Sequence, residues 1–180
     1  MNVAQLFQTQ HDQLTKLWFA AVVATYPEKS RITLTTNADP FSNPIGGMIR
    51  EASQALFSAL SGQEVDVASV KQSLDRLIKI RAVQTLTPSQ SIGIIYLLKP
   101  ILREHILPQM LKEHALELYL EIESRVDSLA LLAFDMYSKD REIVAENRIT
   151  EIRNQYAQLK RWAQQLNAEA PLGTFTGCGN

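Results

Sequence analysis

The sequence has a single cysteine, three histidines and few turn-forming residues, and each shortage excludes a class of protein. With Cys178 alone, no disulfide can form within the chain, which excludes a disulfide-rich secreted fold. Seven glycines and seven prolines are few for 180 residues, so the helices between them must be long. One cysteine and three scattered histidines provide few candidate metal ligands or catalytic nucleophiles. We therefore expect neither an enzyme nor a metal site.

Neither charge predominates, and long apolar runs are missing. Lysine and arginine number 18 against 19 aspartates and glutamates, a net charge of −1, and the sequence has no basic stripe of the kind that nucleic-acid backbones require. No apolar run approaches the ~20 residues that cross a bilayer, and the N-terminus lacks a cationic region followed by an apolar one. We predict a cytoplasmic protein that neither binds nucleic acid nor inserts into a membrane.

Apolar residues recur at the helical period in every periodic segment longer than ten residues, and none alternates convincingly. A hydrophobic content of 46% is enough for one sizeable core. The sequence predicts a single all-α domain, a helical bundle with a long C-terminal helix. The domain is expected to cover residues 1–168, with a heptad-patterned helix over 146–168 and a flexible tail over 169–180.

Capping residues and prolines predict the helix boundaries in the first third of the chain. A first helix is expected over residues 2–25. Residues 27–43 should form a structured loop with at most one helical turn, because they contain β-branched residues followed by Asp-Pro and Asn-Pro dipeptides. Asn43 and Asp66 are typical N-caps, and Gly62 should end the helix that follows Asn43.

Residues 78–99 predict two helices that meet at one corner. Thr87 is a typical N-cap, Pro88 follows at the first helical position, and Gln90 completes a capping box three residues after the cap. The helix that begins there is apolar nearly all round and should be central and buried. Arg81 falls on or beside the apolar stripe of the preceding helix. We favour a side chain that reaches water from the edge of the stripe over a buried ion pair.

The positions of the prolines predict the helix boundaries in the rest of the chain. A kink is expected at Pro100 and a break before Pro108, because each proline removes a helix hydrogen bond. From Met110 to Ala168 neither glycine nor proline intervenes. We therefore expect one very long helix, or two helices with a bend near residues 138–141.

Asp135 lies beside a very apolar stretch of this long helix and is the candidate partner for a buried arginine. Either Arg81 or Arg141 would be that arginine. The competing interpretation is a solvated aspartate that pairs with Lys139 four residues later, and it is favoured because such pairs are common on helix surfaces.

A heptad pattern follows in the last part of the chain. The apolar residues step by four and three: Ala145, Ile149, Ile152, Tyr156, Leu159, Ala163 and Leu166. We predict that Ile149, Ile152, Tyr156 and Leu159 form the seam of a homodimer. Packing of this stripe against the chain's own core competes with the dimer, because about three heptads are barely enough for a coiled coil.

Four sequence blocks, in this order, resemble the N-terminal domain of the RsbR and RsbRD-type co-antagonist proteins. The blocks are Asp39-Pro-Phe-Ser-Asn-Pro-Ile-Gly46, IRAVQ at 80–84, TPSQS at 87–91 and Tyr137-Ser-Lys-Asp-Arg-Glu-Ile-Val-Ala-Glu-Asn147. The resemblance runs from about Leu6 to about Asn154. It implies a sensory module of bacterial stress-signalling complexes, related in fold to globins that have lost haem. Such modules usually precede a STAS output domain, which we expect to be absent here.

The resemblance implies a non-catalytic sensory or regulatory module with protein partners, which senses a small ligand or a partner and signals through its C-terminal helix. The candidate signal-coupling residues are Arg81, Gln84, Thr87, Gln90, Asp135 and Arg141. No cofactor is expected. Two alternatives stay open, a helical scaffold without a small ligand and a haem-carrying sensor. His105 and His114 would be the candidate haem ligands, although their spacing fits no ligand motif.

Overall fold

Eight helices follow one another along the described residues, and no strand is present among them. The structure, a computed structural model, describes residues 3–36, 39, 41–62, 66–84 and 86–169. The helices are α1 (Val3–Ala24), α2 (Glu28–Thr36), α3 (Pro44–Leu60), α4 (Val67–Val83), α5 (Pro88–Tyr96), α6 (Leu98–His105), α7 (Leu107–Lys112) and α8 (Leu116–Glu169). The predicted all-α class with a long C-terminal helix is confirmed. Over the described ranges, no helix combines the length and the apolar character needed to cross a bilayer.

Contacts within the chain divide it into two compact units, residues 1–141 and residues 142–180. The first unit contains α1 to α7 and the first half of α8, and the second contains the rest of α8. The domain limits predicted from the sequence, 1–168 with a tail over 169–180, stay a prediction. Cys178 and most of that tail lie outside the described residues.

The core of the first unit is built by the apolar faces of α1, α3 and α4, and α3 packs on both of the others. The first half of α8 adds a buried stripe, and α5 and α6 complete the core. Trp18 on α1 is fully buried, and its indole N–H donates to the carbonyl oxygen of Ile94 in α5 at 2.9 Å. A buried tryptophan normally finds such a partner, so this bond fixes the central helix α5 against α1.

The N-caps of α3 and α4 lie where the sequence predicted them. Oδ1 of Asn43 accepts from the amide of Gly46 at 2.9 Å, and Oδ1 of Asp66 accepts from the amide of Ala68 at 3.0 Å. Gly62 follows the end of α3 with φ of +75°, a conformation that favours glycine. A Cβ atom on Gly46 would lie 2.8 Å from Cγ of Asn43, so the cap also requires glycine at that position.

A nine-residue helix, α2, lies where the sequence predicted a loop over residues 27–43. That prediction is wrong because tertiary packing outweighed local propensity. The hydroxyl of Thr36 donates to the carbonyl oxygen of Ile32 at 2.6 Å, a bond within the helix that does not itself favour helix formation. Leu34 is buried in the core, and burial of an apolar face contributes more to helix stability in proteins than propensity does.

Pro100 and Pro108 interrupt the helical path after α5. The kink predicted at Pro100 occurs instead as a break at Leu97, between α5 and α6. Pro100 has no N–H to donate to the carbonyl of Tyr96, so α5 ends at that residue. The break predicted before Pro108 is confirmed, because Ile106 separates α6 from α7.

The continuous helix predicted from Met110 onward is wrong, because the chain turns between α7 and α8. His114 has φ of +54°, and its amide donates to the carbonyl of Leu111 at 3.1 Å. The amide of Ala115 donates to the carbonyl of Met110 at 2.9 Å. These two bonds form a Schellman motif, which normally contains glycine, and histidine in that place gave no sequence signal. Beyond this turn, α8 continues through residues 138–141 as one helix.

Two ion pairs fasten α6 to α8. Lys99 Nζ lies 2.8 Å from a carboxylate oxygen of Asp127, and Arg103 Nε lies 2.8 Å from Oε1 of Glu123. The hydroxyl of Tyr119 also donates to Glu123, at 2.9 Å. The hydrogen bond from Arg103 lowers the pKa of Glu123, whereas burial is the main cause that raises the pKa of Tyr119 to about 12. The first half of α8 is thereby held against the core.

Candidate functional site

The first three sequence blocks and residues 137–141 of the fourth form neighbouring parts of one region. Residues 41–46 contain the turn and N-cap that begin α3, residues 80–84 end α4, and residues 87–91 begin α5. Residues 137–147 lie in α8. We call the region around the junction of α4 and α5 the corner site. It comprises Thr25, Tyr26, Arg81, Ala82, Gln84, Leu86, Thr87, Gln90 and Ser91.

Two side chains of α8 contact the backbone of the corner site. Nη1 of Arg141 donates to the carbonyl oxygen of Ala82 in the last turn of α4, at 3.1 Å. The hydroxyl of Tyr137 donates to the carbonyl oxygen of Leu86, in the link to α5, at 3.4 Å. Carbonyls at the end of a helix have no partner within that helix, and an arginine is well suited to satisfy them. The predicted coupling residue Arg141 is thus in contact with the corner site.

Arg81 is buried, with only 1% of its side chain exposed, so the predicted position at the edge of the stripe is wrong. Nη2 donates to the carbonyl oxygen of Gln90 at 2.8 Å, and Nη1 and Nη2 each lie 3.5 Å from Oγ1 of Thr25. Cζ lies 5.2 Å from the ring centroid of Tyr26. No carboxylate of the described ranges pairs with the guanidinium, so the alternative of a buried ion pair is wrong as well.

A buried cation surrounded by neutral groups is an uncommon arrangement, because removal of a charge from water is costly unless a counter-charge compensates it. In this protein the compensation comes from one short hydrogen bond, two long contacts and the face of a tyrosine ring. Nε of Arg81 is buried and has no hydrogen-bond partner among the described residues. The guanidinium therefore keeps unused capacity to bind an acceptor.

The predicted capping box of α5 is confirmed. The amide of Gln90 donates to Oγ1 of Thr87 at 3.2 Å, and the amide of Thr87 donates to Oε1 of Gln90 at 2.9 Å. The backbone carbonyl of Gln90 is also the acceptor for Arg81. One residue thus links the start of α5 to the charged side chain of α4.

A cavity of about 360 Å³, which we call the Tyr26 cavity, lies beside the corner site. It is lined by Tyr26, Ser30, Thr33, Leu34, Ser42, Asn43, Pro44, Ile45 and Gln84. None of these side chains is charged, and the volume is in the range of small-molecule pockets. Tyr26 belongs both to the cavity wall and to the surroundings of Arg81, and its hydroxyl is buried without a hydrogen-bond partner in the part of the chain that the structure describes. The predicted residue Gln84 is at the C-cap of α4 and lines the same cavity.

Asp135 does not belong to the corner site. It is exposed on α8, as the favoured interpretation predicted, but it forms no ion pair within the described part of the chain, so the predicted pairings with Arg81, Arg141 and Lys139 are wrong. The physical reason is its register on the helix. The buried stripe of α8 consists of Tyr119, Ile122, Val126, Ala130, Ala133, Tyr137 and Asp140, and Asp135 points away from that stripe.

The buried acid of α8 is Asp140, which sequence reasoning missed. Its side chain is 8% exposed, and Oδ2 has no hydrogen-bond partner among the described residues. Burial raises the pKa of Asp140 and the carboxylate of Asp75 on α4 raises it further, while Lys79 and Lys139 oppose the shift. The steps of four and three from Val126 to Tyr137 continue to residue 140, so the buried stripe itself carried the missing signal.

We expect Asp140→Asn to raise the free energy of unfolding at pH 7. Because the native pKa lies above the unfolded value, the carboxyl favours the folded state while it is protonated, and that contribution is lost as the pH rises through the folded pKa. The advantage of the asparagine variant should therefore disappear below about pH 4, the unperturbed range of an aspartate. Urea unfolding between these pH values measures the difference. The exposed Asp135→Asn is the matched control and should change little, whereas a pH-independent gain for Asp140→Asn would contradict the explanation.

The predicted seam residues are exposed on the second half of α8. The exposed fractions of Ile149, Ile152, Tyr156 and Leu159 lie between 49% and 71%. Trp162, next to the stripe residue Ala163, is also 71% exposed. Single exposed apolar residues are common on protein surfaces, but a contiguous stripe is typical of an interaction surface. The homodimer stays a prediction.

The candidate haem ligands lie at helix ends. His105 is the last residue of α6, and His114 is exposed in the turn before α8. Among the described residues, no group of three or more histidine, cysteine, aspartate or glutamate side chains is arranged to hold a metal ion. The globin-like part of the fold prediction stays a prediction.

The model of the RsbT co-antagonist protein rsbRD N-terminal domain family matches residues 12–152. This range includes all four sequence blocks and the whole corner site, so the resemblance inferred from the sequence is confirmed. No curated protein and no solved structure matches the chain significantly. Since the family match covers most of the 180 residues, the chain belongs to the RsbT co-antagonist RsbRD N-terminal domain family.

Proposed function

We propose that this chain is a non-catalytic sensory module of a cytoplasmic stress-signalling complex, which detects a small ligand or a protein partner at the corner site and transmits the change through α8. Membership of a co-antagonist family supports the signalling role. The observation that carries the proposal is that two adjacent residues of α4 have different partners. Arg81 bonds to α5, and the carbonyl of Ala82 accepts from Arg141 of α8.

We propose that the corner site can adopt two arrangements, which differ in the contacts of Arg81. The bond to Gln90 is short, whereas the two contacts to Thr25 are 3.5 Å long and contribute little. A ligand that competed for the guanidinium would replace the long contacts first. The last turn of α4 would then shift relative to α1, and small shifts of packed helices are a common form of switching.

Helix α8 provides a continuous path from the corner site to the proposed interaction surface. It runs without interruption from Leu116 to Glu169, and it contains both Arg141 and the apolar seam. We propose that the seam forms a homodimer and that partner proteins of the signalling complex respond to a change in α8. A packed side-chain network that joins two sites is the physical requirement for such coupling.

Hydrogen exchange in the second half of α8 tests the coupling. We expect Thr87→Ala, which removes a cap worth about 1 kcal/mol, to change exchange in residues 142–166 by about fivefold. In the Arg141→Met background this response should disappear, because the bond to Ala82 is missing. The control is Arg125→Met, since Arg125 also lies on α8 and donates to a helix-end carbonyl, that of Leu60, at 3.3 Å.

The three backgrounds give distinct outcomes. The proposal requires that the response to Thr87→Ala persist in Arg125→Met and vanish in Arg141→Met. If exchange in residues 142–166 is insensitive to Thr87→Ala in the otherwise unchanged chain, or responds equally in both arginine variants, the corner site does not communicate with α8 by this route.

A helical scaffold without a small ligand is the second candidate function, and one observation favours it. A surface groove of about 410 Å³ between α5 and α8 is almost wholly apolar, and Leu131 and Phe134 on its wall are 67% and 50% exposed. Exposed apolar patches of this kind mark protein contacts. If the chain is a scaffold, no small molecule should change hydrogen exchange in α8. The sensory proposal requires that a ligand of the corner site does change it.

A further inference from the structure

The groove between α5 and the first half of α8 is open to solvent although its wall is apolar. On the α5 side it is lined by Ile92, Gly93 and Tyr96 among others. Leu131 and Phe134 form the opposite wall on α8, and each is at least half exposed. Contact of so much apolar surface with water is unfavourable, and contiguous patches of this kind are typical of interaction surfaces. A partner that covered the groove would remove this surface from water.

Gly93 lies in the groove at a position where the chain itself does not require glycine. It is in the interior of α5, where glycine destabilises a helix relative to alanine. A Cβ atom added to Gly93 would have no atom of the described residues within 4 Å, and the φ of Gly93 is not positive. Neither internal packing nor backbone conformation therefore accounts for this glycine. A partner backbone that approaches α5 closely would account for it.

The charges that border the groove are either paired or acidic. Helix α5 has no charged residue, and Lys99 at the start of α6 lies 2.8 Å from a carboxylate oxygen of Asp127. Asp135 follows Phe134 directly and lies one helical turn after Leu131, so it is at the edge of the groove. It is exposed and forms no ion pair within the described part of the chain. A basic side chain of a partner would complement it.

The shape of the groove favours a helical partner. Two helices form its walls, so its lining side chains recur at helical spacing, with Ser89, Gly93 and Tyr96 on α5 and Ala130 and Phe134 on α8. An amphipathic helix with apolar residues at the same spacing fits between such walls. An extended peptide would instead pair with a sheet edge, and the described residues contain no strand. The nine residues of α5 are about 14 Å long, which corresponds to about three turns of a partner helix.

We propose that the groove between α5 and α8 binds an amphipathic helix of a partner protein, whose apolar face lies on Gly93 and Leu131 and whose lysine or arginine lies beside Asp135. A second copy of this chain would bring the same acidic edge, so like charges would meet. The inference goes beyond the proposed function and does not rest on it, because neither Arg81 nor Arg141 takes part in this contact.

Titration of the full chain with designed peptides tests the proposal. The probes are three labelled peptides of about 15 residues, a length at which isolated helices begin to form. The first has leucines on one face of the helix and lysines beside them, the second has glutamates in place of the lysines, and the third has the composition of the first with its leucines spread around the helix. Fluorescence anisotropy should show saturable binding of the lysine peptide, with a Kd about tenfold or more below those of the other two.

A charge reversal locates the basic side chain of the partner. Asp135→Lys should reverse the preference, so that the glutamate peptide binds more tightly than the lysine peptide. The matched control is Glu121→Lys, because Glu121 is also exposed on α8 but does not line the groove. This control changes the net charge by the same amount and should keep the preference for the lysine peptide.

Two substitutions in the groove locate the apolar face. Gly93→Leu should weaken binding of the lysine peptide about tenfold or more without lowering the urea midpoint, since leucine is the better helix former and its Cβ enters open space. Leu131→Glu should abolish the binding. Leu118→Glu is the matched control, because Leu118 is an exposed leucine of the same helix outside the groove, and it should change the Kd by no more than about twofold.

The inference is overturned if the lysine peptide does not bind saturably, if either other peptide binds as tightly, or if Asp135→Lys and Glu121→Lys behave alike. A lower urea midpoint for Gly93→Leu would contradict the argument from Gly93, because the fold itself would then need that glycine. If Leu131→Glu instead weakens self-association in sedimentation equilibrium, a second copy occupies the groove and the proposed partner is wrong.

Discussion

Arg81→Met should raise the free energy of unfolding by about 1 to 3 kcal/mol. Arg81 is a fully buried cation whose compensation consists of neutral groups, and methionine replaces it with an apolar chain of similar length. The carbonyl of Gln90 loses one donor but lies within α5, where the helix itself supplies another. Removal of the desolvation penalty should therefore outweigh the lost hydrogen bond.

The opposite result is expected for Arg81→Lys, which keeps the charge. An ammonium group cannot reproduce the planar fork that donates to Gln90 and approaches Thr25, and it stacks less well on the Tyr26 ring. A buried and poorly bonded charge should lower the free energy of unfolding by about 2 kcal/mol or more. Urea unfolding of both variants at neutral pH measures the contrast.

The matched control for both variants is Arg76→Met on the same helix. Arg76 forms an exposed ion pair with Glu51 at 3.0 Å, and such pairs contribute at most about 1 kcal/mol. A large loss of stability in Arg81→Met, with little change in Arg81→Lys, would mean that the hydrogen bonds of the guanidinium exceed its desolvation cost. Arg81 would then be a residue that stabilises the fold, and not a destabilising residue that is kept because it binds a ligand.

A stabilising substitution at a buried position has a functional meaning. Natural proteins generally keep such destabilising groups where function needs them, and unsatisfied polar atoms inside a core are otherwise rare. At the corner site, Nε of Arg81 and the Tyr26 hydroxyl have no hydrogen-bond partner among the described residues, and Tyr26 lines a cavity of suitable size. The same arrangement therefore accounts for a cost in stability and for a capacity to bind.

Features that depend on neighbouring residues could be predicted from the sequence. The caps at Asn43, Asp66 and Thr87 are local, because each side chain bonds to a backbone amide two or three residues away. The break before Pro108 is local in the same sense, since proline removes a specific helix bond. Such local signals do not depend on the tertiary structure of the chain.

Features that depend on distant residues could not be predicted. Arg81 was identified as unusual, but its neighbours Thr25 and Tyr26 are more than fifty positions earlier, and no pattern in the sequence connects them. Asp135, between Phe134 and Met136, drew attention because of its apolar neighbours, whereas the buried acid Asp140 lies between Lys139 and Arg141 and is identified only by the register of the buried stripe. Helix α2 was missed for a related reason, since the burial of Leu34 depends on tertiary packing.

Ile152→Asp should weaken self-association of the chain by about 100-fold or more, if α8 forms the proposed dimer. In a symmetric dimer the substitution places two carboxylates, one from each copy, in an apolar contact. An unpaired buried charge costs several kcal/mol. A cost of about 2.7 kcal/mol already raises the dissociation constant 100-fold. Ile152 is 57% exposed in the single chain and lies in the second unit, so the variant should leave the core of the first unit intact. Sedimentation equilibrium over a range of concentrations measures the dissociation constant.

Thr150→Asp is the matched control, because Thr150 is an exposed β-branched residue two positions earlier and lies off the heptad stripe. It should leave the dimer unchanged within a few-fold, and removal of the residues after Arg148 should give a monomer. If the full chain is already monomeric at micromolar concentration, or if Ile152→Asp and Thr150→Asp behave alike, the stripe does not pair with a second copy. The exposed seam would then have to contact a different protein, and α8 would transmit its change to that partner directly.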